Sequence, residues 1–414
     1  MAPSRRRLFL PSILLLLCIL APAAAWAQPR FQYRPRGCNP FWNAVPSANL
    51  PSGDSSLGSL AAISATDIWA VGSSVDGQGG RHTLTQHWDG LDWTIVASPD
   101  GVQPTNFLTA VGALGTGEVW AVGFSASSNP FDPQSKTLTE KWNGASWDVV
   151  DSPNPPMPGG GESANELYGV GVAGTDDVWV VGKTNDFTTS QSLILHWDGQ
   201  QWTDFSTPDD GDAGWLTAID VLAPDDIWAV GFNSVDFVQV NLIKHWNGQS
   251  WTNVEAPNVG PFVNGLQGVS ATSPSNVWAV GFHLEVFGVD QVYQTSVLHW
   301  NGVDWKVVPS PNRTQLNNYL FDVVGIAAGD AWAVGFYDNG SQLLTMIQMW
   351  DGLTWSIVPS ADTSDALNEL TGVAAVSSSE VWTVGQAFGF FNWETLVEKM
   401  ACPSTARSTR KVRR

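Results

Sequence analysis

Apolar residues along this chain fall in short runs separated by polar turns, and nowhere at the three-to-four-residue spacing of an amphipathic helix. One run, such as Leu108 to Val111, is followed after a few turn-forming residues by a D/E/N-x-W-A-V-G-like run, as at Glu118 to Gly123. A third and fourth run flank an Asp-Gly or Asn-Gly pair, as in Thr139 to Val150. Short alternating runs bounded by such turns are β-strands, and Asp-Gly or Asn-Gly between them predicts a two-residue hairpin turn, whose left-handed backbone suits these residues.

The whole group then repeats. Second-strand tryptophans stand at Trp69, Trp120, Trp179, Trp228, Trp278, Trp332 and Trp382. Hairpin tryptophans precede the turn at Trp88, Trp142, Trp197, Trp246, Trp300 and Trp350, and follow it at Trp93, Trp147, Trp202, Trp251, Trp305 and Trp355. Four short strands in about 50 residues, repeated without helical periodicity, describe a β-propeller of seven four-stranded antiparallel blades. A sandwich has no reason for identical hairpins, and a solenoid uses shorter repeats.

The last unit lacks its outer strand, and the missing piece lies at the other end of the chain. Phe41 to Asn49, "FWNAVPSAN", reads like the outer strand "SWDVVDSPN" of the second unit. Trp42 precedes Trp69 by 27 residues, the interval that also separates Trp93 from Trp120 and Trp355 from Trp382. The N-terminal strand is therefore expected to complete the last blade. Closure brings Cys38 and Cys402 to the place where other blades have their hairpin turn, and predicts a disulfide between them.

The repeat also assigns most of the aromatic residues. It places 20 of the 23 tryptophans at equivalent positions, where they are expected to pack between neighbouring blades. Each buried indole removes about 150 to 250 Å² from water, or about 4 to 6 kcal/mol of gross transfer free energy before entropy is subtracted. His87, His196, His245 and His299 all precede a hairpin tryptophan, so they belong to different sectors and do not converge on a metal.

Over residues 37 to 402, these D-x-W-A-V-G and W-[DN]-G-x-x-W units resemble the secreted repeat propellers of bacteria, and more distantly the kelch-like ones. The hairpin also resembles the Asp-box of sialidase-type propellers, S-x-D-x-G-x-x-W, but Asp89 and Gly90 are adjacent rather than one apart. Those enzymes imply an arginine cluster gripping a carboxylate, and from Gly37 to Cys402 the only arginines are Arg81 and Arg313.

The two ends of the chain do not belong to the pattern. Arg5, Arg6 and Arg7 precede an apolar run from Leu8 to Leu20, and Ala25-Trp26-Ala27 offers a small-x-small cleavage site, so residues 1–27 read as a signal peptide. The string Arg6-Arg7-Leu8-Phe9-Leu10 resembles a twin-arginine export signal. Residues 28–37 form a basic lead, 38–402 the propeller and 403–414 a basic tail, both ends expected to be disordered. The product is expected to be secreted or held at the cell surface, without a transmembrane anchor, and monomeric. Loss of the leader leaves 16 basic against 39 acidic residues, a formal −23, which argues against nucleic acid as a partner.

Candidate chemistry is confined to the loops. Length variation falls between second and third strands and between blades, which lie on one face, where loops carry function without disturbing the blades. Trp215 lies there just before a first strand, at a position held by Phe107 and Tyr319 in two other units. Trp393 lies near Phe388, Phe390 and Phe391 in "AFGFFNWE". These aromatics are the candidate ligand-binding residues, suited to a protein hot spot or to stacking on sugars. No nucleophile, metalloprotease or nucleotide-binding motif is present. No cofactor is expected; Asp209, Asp210 and Asp212 have calcium-like oxygen density but lack the spacing of a calcium loop. The reading is a non-catalytic module for an extracellular protein or glycan. A glycan-binding lectin is the first alternative, and a polysaccharide hydrolase or lyase using carboxylates at the mouth is the second.

Overall fold

The computed structural model describes residues 40–401, apart from 51–52, 130–133, 158–162, 187, 207–212, 289, 365 and 390–391. Cys38, Cys402, Phe390, Phe391, the Asp209–Asp212 run, the leader, the basic lead and the tail lie outside the described residues. What is described belongs to one compact unit, Pro35–Arg414, and is all-β. No helix among these residues is long and apolar enough to cross a membrane.

The first antiparallel group consists of Ser55–Ser64, Asp67–Val75, Arg81–Trp88 and Trp93–Val96. The same order returns with inner strands Thr105–Gly115, Ala164–Gly174, Ala213–Ala223, Asn264–Ser273 and Asn318–Ala327. The last group is Leu367–Ser377, Glu380–Phe388 and Trp393–Ala401, and its fourth strand is the N-terminal Phe41–Ala44, paired from Phe41↔Ala401 to Ala44↔Glu398. The closure expected from the 27-residue interval is thus present. Asn49 strengthens it by accepting the Thr395 N–H at 2.8 Å, as Asn312 does for Thr295 at 3.0 Å within its own unit.

The recurring motif encodes contacts made at each boundary. The second-strand tryptophan of one unit packs against the hairpin tryptophans of the next, with ring centroids from 4.8 Å (Trp69–Trp142) to 6.0 Å (Trp382–Trp93). Trp382 of the last unit meets Trp88 of the first, and Trp332 meets the N-terminal Trp42, so the final boundaries repeat the rule. The acidic residue two places earlier serves both neighbours: Asp177 accepts from Trp179 Nε1 at 2.9 Å and lies 2.8 Å from His196 Nε2. His87, His245 and His299 have equivalent partners in Asp67, Asp226 and Asn276, all at 2.8 Å. The four histidines therefore orient tryptophans within separate units.

The motif's glycine answers to a bulge. Each inner strand carries two extra residues opposite the second strand, the first of them Thr109, between Leu108 and Ala110 in the second unit. That bulge presses a carbonyl onto the facing glycine: a Cβ on Gly123 would lie 2.0 Å from the Phe107 oxygen, and on Gly231 1.9 Å from that of Trp215. No side chain fits there.

The hairpin differs from the sequence expectation. Trp88 and Trp93 are direct cross-strand partners, so the loop has four residues rather than two. Asp89 Oδ1 accepts the N–H groups of Leu91 and Asp92 at 2.8 and 3.0 Å, and only Gly90 is left-handed, at φ +99°. The side-chain cap satisfies the turn, which removes the need for a second left-handed residue.

Candidate functional site

The bulged residues Gly58, Thr109, Tyr168, Thr217, Gln267, Phe321 and Thr371 line a central channel of about 410 Å³. Several of them tie one unit to the next. Thr109, Thr217 and Thr371 donate to the carbonyls of Leu167, Leu266 and Leu57 at 2.7, 2.8 and 2.8 Å, the third joining the last unit to the first. Asp220 and Asp322 are the channel's carboxylates. Burial pushes Asp220 up to about 6 and Asp322 up to about 7. Each accepts a backbone N–H across a boundary, from Ala271 at 2.6 Å and Val373 at 2.9 Å, and a second from its own successor. Both are engaged as latches rather than presented as a free acid and base.

At the loop-bearing mouth, the residue two places before each bulged one pairs with the residue after the motif glycine. Three pairs are aromatic: Phe107–Phe124, Trp215–Phe232 and Tyr319–Phe336, with centroids 4.8, 5.1 and 4.9 Å apart. The equivalent pair between the first two of these is charged, Glu166 with Lys183. Lys183 Nζ lies 3.1 Å from Glu166 Oε2 and 3.5 Å from the Trp215 ring centre. Tyr168 donates its hydroxyl to the same carboxylate and stacks on Trp215 at 6.2 Å. Burial, and secondarily the Glu166 charge, holds that hydroxyl well above the usual tyrosine range.

This arrangement changes what Trp215 does. With Lys183 and Phe232 against its ring and Nε1 bonded to Ser190 Oγ at 3.0 Å, it is a wall and not a free stacking platform. Phe107 and Tyr319 are likewise packed on their pair partners. Trp393 is placed apart from them: its ring meets Phe388 edge-on at 5.3 Å, and its backbone N–H donates to Asp54 Oδ1 at 2.9 Å, sealing the seam between last and first units.

Beside Trp215 lies a groove of about 510 Å³, lined also by Phe232, Val263, Asn185, Ser190 and Gln239. Its rim carries a residue that the sequence reading did not select. Phe237 is fully exposed at the tip of a two-residue hairpin closed by Val235↔Val238. Asp236 and Phe237, at φ +50° and +65°, are the only non-glycine residues with positive φ among those described. The signal in the sequence was Val235-Asp236-Phe237-Val238, where Phe replaces the glycine such a turn favours.

In structure the chain is similar to YCF48 from Cyanidioschyzon merolae, with a TM-score of 0.53 and 16% identity, covering 87% of this chain and 99% of that one. It is also similar to the polysaccharide lyase Uly1, with a TM-score of 0.51 and 12% identity, covering 90% of this chain and 94% of that one. No family model and no curated protein matches the sequence. At these identities the likeness shows the fold alone, a β-propeller.

Proposed function

We propose that the protein is an exported seven-bladed β-propeller acting as a non-catalytic binding module for an extracellular protein, through the face that carries the longer loops. The count is supported by the recurring tryptophan contacts, which continue from the last unit to the first. The observation that carries the binding reading is Phe237, a large apolar side chain held fully in solvent beside an aromatic-walled groove. An exposed aromatic anchor next to a preformed concavity is the usual composition of a protein hot spot. The charged groups at the mouth satisfy one another, and the channel carboxylates hold neighbouring units together.

Capture of extracellular proteins by the purified chain, beside a Phe237→Gly variant, tests the reading. A partner retained by the parent and lost from the variant supports it. Capture undiminished by that change and by Trp215→Ala, or turnover of a polysaccharide, overturns it. Glycan binding is the second reading, favoured by the Asn185, Ser190 and Gln239 side chains around the aromatic wall. It requires a glycan-array signal that Phe237→Gly or Trp215→Ala removes.

A further inference from the structure

Phe237 is one of several exposed apolar residues in neighbouring segments of the loop-bearing face. Gln239, two residues further on, donates its N–H to the Phe262 carbonyl at 2.9 Å. On the other side, Leu284 donates to Val263 at 2.8 Å, and its strand runs on to Val286 and Phe287 at the next hairpin tip. Phe262 thus lies on a segment flanked by the two strands that carry Phe237 and Phe287. These three phenylalanines are 102%, 56% and 50% exposed, and Val235 and Val286 beside them are exposed as well.

The acidic residues of this region face no lysine or arginine among those described. Asp186 lines the groove, Asp236 precedes Phe237, and Glu285 and Asp290 flank the Val286–Phe287 tip. Among the described residues, neither the groove lining nor the segments 234–239, 258–264 and 283–292 contain a lysine or arginine. The nearest cation in the wall, Lys183, is paired with Glu166. An apolar strip whose acidic margin meets no lysine or arginine among the described residues, Glu285 having only His283 Nε2 at 3.4 Å, complements a chain that is apolar and basic.

We infer that this strip, from the Trp215 groove across Phe237 and Phe262 to Phe287, docks a cationic polypeptide segment carrying bulky apolar side chains. The inference rests on the binding-module reading and names its partner class. A glycan fits the strip less well, because Lys183 lies over the Trp215 ring and the Phe262–Phe287 end presents apolar surface with carboxylates. The basic side chains of the docked segment would meet Asp186, Asp236, Glu285 and Asp290, while its apolar ones cover the phenylalanines.

The test uses the purified protein with three twelve-residue probes, alternating Lys and Leu, Glu and Leu, or Lys and Ser. Affinity is read by biolayer interferometry at low and high salt, for the parent, Phe237→Gly, Phe262→Ser with Phe287→Ser, and a Leu91→Ser with Val303→Ser control on exposed hairpin tips. The Lys-Leu probe is expected to bind at least tenfold more tightly than either other probe. Added salt weakens it, Phe237→Gly and the double phenylalanine change each reduce it at least tenfold, and the control leaves it unchanged. Equal binding of the Lys-Ser probe, insensitivity to the phenylalanine changes, or no binding of the Lys-Leu probe overturns the inference. If the Lys-Leu probe fails while a captured protein still depends on Phe237, only the partner class falls. If capture also ignores Phe237, the binding-module reading falls with it. Circular dichroism of each variant at matched concentration separates loss of binding from loss of fold.

Discussion

Glu140 lies in the third strand of the second unit, two residues before Trp142, and is wholly buried with neither carboxylate oxygen hydrogen-bonded. Equivalent positions in other units hold Gln86 and Gln348, whose amides donate to the Ala48 and Pro311 carbonyls at 2.8 and 3.0 Å. Each acceptor lies six residues past an outer-strand tryptophan. The residue so placed for Glu140 is Pro99, which offers a carbonyl but no N–H. A carboxylate there has nothing to accept, whereas a protonated carboxyl can donate. Burial first, and then the Asp100 charge, pushes Glu140 up to about 9 from an ordinary 4.5. In the unfolded chain Glu140 ionises near its ordinary value, so folding at higher pH must take up a proton. Stability from this group is greatest below pH 4.5 and falls as pH rises towards 9. At about 1.4 kcal/mol per unit, the cost is about 3 kcal/mol at pH 7 and about 6 kcal/mol at pH 9. Glu140→Gln keeps the shape and supplies the donor found at Gln86 and Gln348. Urea midpoints of parent and variant between pH 4 and 9 should nearly coincide at the acid end and separate steadily above pH 5, with the variant more stable. Parallel profiles, or a variant less stable at pH 8, would refute the reasoning.

Four further outcomes are expected. Gly123→Ala should lower stability by more than about 3 kcal/mol or prevent folding, since its Cβ would lie 2.0 Å from the Phe107 oxygen; a small shift in denaturation midpoint would contradict the bulge argument. Phe237→Gly should instead stabilise by up to about 1 kcal/mol, because glycine adopts positive φ without the penalty that a side chain carries. Cys38 and Cys402 should resist thiol labelling in denaturant until a reductant is added, and reduction should then cost about 2 to 4 kcal/mol; two thiols that label without reductant would remove the disulfide. His82, 2.6 Å from Asp100 and 3.2 Å from Asp76, should titrate above its ordinary 6.5 by NMR. Its contribution to stability is present below pH 6.5 and lost as pH rises through the folded value, so a His82→Gln variant whose stability tracks the parent at every pH would contradict a stabilising role for the Asp76 and Asp100 contacts.

The fold was legible because its determinants recur. Each D-x-W-A-V-G restates an indole that packs on the neighbouring unit, a carboxylate that orients it and a glycine that clears a bulge. One unit's ambiguity is therefore settled by the others. Even the closing strand followed from an interval, since Trp42 has to stand where Trp93 and Trp355 stand. The hairpin loop was misread because Asp-Gly alone does not fix register. The carboxylate of Asp89 caps two N–H groups across a four-residue loop, and that contact is invisible until Trp88 is known to face Trp93.

The candidate site was less legible because it consists of the positions where the repeat is broken. Trp215 drew notice as a tryptophan outside the pattern, yet its role depends on Glu166 and Lys183 in the neighbouring unit, which convert an aromatic pair into a charged one and bring an ammonium onto the indole. Phe237 drew none, since phenylalanine in a loop is unremarked until the backbone beneath it is known to be left-handed. A position that retains such a backbone without glycine, and leaves the ring in solvent, gains nothing in folding stability from either feature. A ring that meets a partner outside the chain, as proposed above, accounts for the strain and the exposure together, and ties the Asp236–Phe237 turn to the proposed binding face.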